Sequence, residues 1–163
     1  MKPSIGFWLT TLGFDAYWTL AIIGRERVLP WLLLGAGLAM ILTPGRQRKW
    51  VLRAAFLGIT MDTLWCYFGV FTFTGQLGVP LWMYALWLTF SCLWYGLLVR
   101  LRFTISVAAL LGAVSGPLAY IIGWQLNAMT PQITPTLMIL ILSLGWAIYL
   151  PAISWPILCR RIP

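Results

Sequence analysis

Apolar positions in this chain fall into long, nearly unbroken runs, with polar and basic residues confined to short breaks between them. Neither a period of two nor a one-sided helical stripe dominates. A membrane-spanning helix needs roughly 20 mostly apolar residues. Six runs fit, at about residues 4–23, 28–43, 49–73, 80–99, 103–126 and 136–158. Open strand edges are not tolerated in hydrocarbon, and a barrel would need alternating strands of about ten residues, so the runs are read as helices. Pro30 suits the first turn of the second helix, and Pro44-Gly45 stops it. Residues 75–79, GQLGV, make a turn before Pro80 opens the fourth helix, and NAMTPQITP at 127–135 is a loop. The predicted fold class is all-α: a polytopic membrane protein of six transmembrane helices, with residues 1–163 as a single integral membrane domain.

Composition supports a bilayer. Only 9% of residues are charged and 61% are hydrophobic, whereas a soluble domain carries about a quarter charged. The net charge of +8 is not spread over a surface but sits in short clusters between the runs. Such clusters set topology, and none is dense enough for a nucleic-acid patch, so no nucleic-acid partner is expected. With the N-terminus inside, Lys2, Arg46, Arg48, Lys49, Arg53, Arg100, Arg102, Arg160 and Arg161 are cytoplasmic, and only Arg25 and Arg27 are outside. This bias predicts an N-in/C-in arrangement. Trp8, Trp31, Trp50, Trp82, Trp124 and Trp155 near the helix ends suit an aromatic belt. The first run lacks an A-x-A-type cleavage site and is interrupted by Asp15, so it reads as an uncleaved first helix.

Much chemistry is absent. There is no His, and Cys66, Cys92 and Cys159 are far apart, which argues against a disulfide framework, a metal site or a His-based triad. No phosphate loop, dinucleotide fingerprint or HExxH stands in the chain, so no cofactor, metal or ATP-driven activity is expected. Two acids remain within the runs. Asp15 lies roughly 15 Å along the first helix and Asp62 roughly 20 Å along the third, both around mid-bilayer. A charged Asp there costs about 2.5–3.5 kcal/mol on insertion scales. The cost falls if the group is protonated or accepts hydrogen bonds. Thr63 and Tyr120 are among the candidate partners, and with the two acids they form the candidate intramembrane polar site. Each Asp reads either as neutral interhelix glue or as a proton site or substrate contact. In GAVSGPLAYIIG, residues 112–123, Gly112 and Gly116 form a stripe for close helix contact. Pro117 removes an N–H and should kink or break the fifth helix at Gly116-Pro117. The aromatics of the fourth helix either pack or surround an acyl chain.

Taken in order, GITMDTLW at 58–65, PLWMYALWLTF at 80–90, LLGAVSGPLAYIIG at 110–123 and LGWAIYLP at 144–151 resemble a family of small proteobacterial inner-membrane proteins classed as a domain of unknown function. The resembling motifs are GxxxD, PxWxxxLW, GPLAY and GWxxxLP, with Ser115 where Gly is expected. Asp62 falls on a motif position and Asp15 does not. The resemblance implies a multi-pass protein of the bacterial inner (cytoplasmic) membrane with no assigned activity. It also implies a link, by association, to lipid-modifying enzymes such as cyclopropane-fatty-acid-synthase-like methyltransferases. The resulting expectation is an accessory or lipid-binding component linked to lipid or fatty-acid modification, more a binder than an enzyme. Membrane lipids and a lipid-modifying membrane enzyme are its expected partners. One alternative is a small proton-coupled transporter acting as a homo-oligomer. A second is an intramembrane enzyme using Asp15 and Asp62 as acid and base, which needs the two carboxyls roughly 5–9 Å apart.

Overall fold

The structure, a computed structural model, describes residues 5–100 and 104–158. The predicted contributions of Lys2, Arg102, Cys159, Arg160 and Arg161 lie outside the described residues. The elements run α1 (Ile5–Gly24), a 3-10 turn (Arg25–Val28), α2 (Leu29–Leu42), α3 (Gly45–Tyr67), β1 (Phe71–Phe73), α4 (Leu81–Arg100), α5 (Ile105–Gln125), β2 (Met129–Pro131) and α6 (Pro135–Leu158). The all-α class holds. By length and composition α4, α5 and α6 can each cross a membrane. Large apolar side chains are also exposed on the outer faces of the other helices, among them Leu9, Ile23, Leu34, Ile41 and Phe56. Apolar cover of this extent suits lipid rather than water.

The local sequence explains where the helices end. The hydrophobic pattern extends the third helix to Phe73, but it stops at Tyr67. Gly69 takes a positive φ of 68°. The Val70 N–H returns to the Trp65 carbonyl (2.9 Å) and the Gly69 N–H to the Cys66 carbonyl (3.2 Å), closing α3 in a Schellman motif. α5 ends in the same way. Asn127 has φ 56°, the Ala128 N–H reaches the Gly123 carbonyl (2.8 Å) and the Asn127 N–H the Trp124 carbonyl (2.9 Å). Each cap leads into a three-residue strand, and the two strands pair antiparallel with Thr72 opposite Thr130. The predicted loop at 127–135 therefore contains half of a small ribbon. The Gln132 N–H bonds the Val70 carbonyl and the Thr74 N–H the Ala128 carbonyl. Pro131, opposite Phe71, thus falls between bonded rungs, where its missing N–H costs nothing. Phe71 and Phe73 are buried and Thr72 is exposed, so the ribbon lays its apolar face over the bundle.

α4 is the central helix, packed against α1, α2, α3 and α6, while α5 packs most extensively on α6. That second contact depends on the predicted small-residue stripe. A Cβ at Gly112 would collide with the Trp146 carbonyl, and one at Gly116 with the Trp146 ring. α5 continues through Pro117 as one helix, so it is not broken there. The connectors after α1, α3 and α5 gather at one end. Arg25 Nη2 donates to the Leu126 carbonyl (2.9 Å) and Gln76 Nε2 to Glu26 Oε1 (3.2 Å). At the other end Arg100 reaches the Gly6 carbonyl.

Candidate functional site

Asp62 is fully buried at 0% exposure. It faces inward on α3 because Gly58, one turn earlier, has no side chain. The Trp87 ring of α4 lies directly against that glycine, where any Cβ would collide with its six-membered ring. This close approach brings Trp87 Nε1 to Asp62 Oδ2, to which it donates at 2.7 Å. From α5, the Tyr120 hydroxyl donates to Asp62 Oδ1 at 2.5 Å. One carboxyl group thereby joins α3, α4 and α5, each oxygen holding one donor. Two such bonds offset part of the cost of burying the acid.

Aromatic rings enclose this junction. Trp146 stacks on Trp87 with centroids 5.4 Å apart and 19° between planes. Tyr149 meets Trp87 edge-on at 5.4 Å and donates its hydroxyl to the Ala54 carbonyl of α3 at 2.9 Å. Trp65 sets its edge against Tyr120 at 5.8 Å and occupies the space left by Gly145. Further along α4, Trp94 Nε1 donates to Ser154 Oγ (2.9 Å), which donates in turn to the Leu150 carbonyl (2.6 Å). Tyr95 donates to the Ile153 carbonyl. The four sequence stretches GITMDTLW, PLWMYALW, GPLAY and GWAIYLP converge on this one cluster, with glycines 58, 116 and 145 each admitting a ring.

The predicted polar site divides. Asp62 and Tyr120 meet, as expected of candidate partners. Thr63 is exposed and returns its hydroxyl to the Ile59 carbonyl at 2.8 Å, since the next position on a helix points about 100° away. Asp15 belongs to a different place. It is exposed and lines a cavity of about 360 Å³ between α1, α4 and α5. α1 contributes Phe14, Asp15 and Trp18, and α5 contributes Ser115, Ala119 and Gly123. The back wall is Trp87, Tyr120 and Trp146. Asp62 does not line this cavity, because two of those rings stand in front of it while donating to it. A guest in the cavity therefore meets Asp15 and the rings, not Asp62. Asp15 lines the cavity and Asp62 stands behind its Trp87 and Tyr120 wall, so the two carboxyls do not open onto the same space.

Trp87 was expected only as one of the fourth-helix aromatics that pack or surround an acyl chain, and neither it nor Trp146 was placed beside the buried acid. Their signal was a glycine one turn before an acid, or before a tyrosine, on a neighbouring helix. Trp82, expected in the interfacial belt, is instead buried against Phe73 at the foot of the ribbon, centroids 5.7 Å apart. The family model described as "Protein of unknown function (DUF2878)" matches residues 7–152. No curated protein and no solved structure matches the chain.

Proposed function

The chain belongs to this DUF2878 family of proteins of unknown function, and from that premise we propose that it is a multi-pass bacterial inner-membrane protein that binds an amphiphilic bilayer component in the side cavity between α1, α4 and α5. In this reading it forms one six-helix domain, N-in/C-in, with α5 bent at Gly116-Pro117. It serves as a lipid-binding accessory to a lipid-modifying membrane enzyme.

The observation that carries the reading is the cavity. Its volume, about 360 Å³, lies within the range of small-molecule sites, which are concave, mostly apolar and supplied with few polar groups. Here the polar groups are Asp15 and Ser115 against a wall of rings. Its walls are membrane-embedded helices, so a guest would enter sideways from the lipid. The gathering of the first, third and fifth connectors at one end supports the up-and-down course of the six helices.

The test is cavity filling. Ala119, half-buried on the cavity wall, is replaced in Ala119→Phe. Protein purified in mild detergent is examined by native mass spectrometry for retained lipid. The wild type should carry a lipid adduct, and Ala119→Phe should lose most of it with an unchanged elution profile. Equal retention by both would count against the cavity as the site.

A further inference from the structure

Resting on the cavity reading above, we propose that its occupant is a hydrophobic organic cation, a phosphate-free ammonium compound with an apolar chain or ring, whose charge sits against Asp15 and the surrounding ring faces. Three observations combine. First, among the described residues the only charged one lining the cavity is Asp15, and no described Lys or Arg joins it there. A phosphate placed at this depth would meet a carboxylate and no counter-charge, whereas a cation would meet its complement. Second, Asp15 has no side-chain hydrogen bond or ion pair among the described residues. Outside the helical ladder, its backbone carbonyl accepts from the Thr19 hydroxyl at 2.8 Å. Asp62 shows the contrast: it is buried and satisfied by two donors. An intramembrane acid is held in place by a partner or a function, and Asp15 lacks the partner. Third, Phe14, Trp18, Phe90 and Trp87 line the same space. Aromatic faces attract ammonium groups, and trimethylated ones are bound in aromatic cages. A carboxylate beside such rings recognises both the charge and the apolar body of one guest.

The test titrates decyltrimethylammonium and uncharged 1-decanol into the purified protein in a maltoside detergent, following heat or tryptophan fluorescence. The ammonium compound should bind at least about ten-fold more tightly than the alcohol, a difference of about 1.4 kcal/mol. Asp15→Asn should erase that preference while leaving alcohol binding unchanged, and Asp15→Glu should restore most of it. Because Asp15 is exposed, neither substitution disturbs the buried cluster. Equal binding of the two compounds, or an undiminished preference in Asp15→Asn, overturns the cation proposal and leaves the cavity reading standing. Failure of both compounds to bind, with Ala119→Phe retaining its lipid, overturns both.

Discussion

Asp62 is the residue on which the interior depends. Its carboxyl is the common acceptor for an indole and a phenol from two other helices. Removing it leaves both donors unpaired in an apolar interior, and a buried unsatisfied donor costs about 1–3 kcal/mol. Membrane hydrogen bonds average nearer 0.6 kcal/mol, which moderates the sum. Asp62→Ala should therefore lower stability by about 2–4 kcal/mol. Asp62→Asn keeps one acceptor oxygen and should lose about 1 kcal/mol. Unfolding titrations in mixed SDS micelles measure both, and a loss under about 0.5 kcal/mol for Asp62→Ala would mean that the carboxyl does not hold the helices together. Sequence alone marked Asp62 as an expensive acid and named Tyr120 as a partner. It did not name Trp87, because pairing depends on the rotation of α4 about its axis, and α4 carries aromatic residues on several faces.

The elements are set by glycines as much as by apolar length. Gly58, Gly116 and Gly145 each face a tryptophan ring, so the helices approach to the depth of a missing side chain. Gly37 on α2 has open space around it and serves as the comparison. A Gly→Ala change in a helix gains about 0.5–1 kcal/mol in backbone terms, and overpacking a filled core costs about 1–3 kcal/mol. Gly58→Ala should be net destabilising and Gly37→Ala neutral or mildly stabilising; thermal melts in detergent of the two variants compare them directly. The existence of the helices was legible from their apolar runs, and most ends fell within a few residues. The end of α3 was not. Phe71-Thr72-Phe73 continues the apolar run, and only the positive φ at Gly69 reveals the turn. The ribbon was illegible for a similar reason: its second strand is three residues inside a polar loop, and its partner lies about sixty residues away.

At the scale of the molecule, the six-span reading separates Gln76, in the connector between α3 and α4, from Lys49, near the start of α3. In a background with the three cysteines replaced by Ala, Gln76→Cys and Lys49→Cys should react with a membrane-impermeant maleimide from opposite faces of the membrane. Labelling of both from one face would refute the alternating course. The cavity was not legible in the sequence at all. It arises from the space left between α1 and α5 on α4, and nothing local in Phe14, Asp15 or Trp18 announces it. The Asp62 junction also bears on how the chain is made. Its two donors lie 25 and 58 residues further on. A nascent chain that has delivered α3 alone offers the bilayer an acid without partners and a basic first half. On the six-span reading, α3 is therefore expected to enter the bilayer together with α4 and α5 rather than ahead of them, and a chain truncated after α3 should insert poorly.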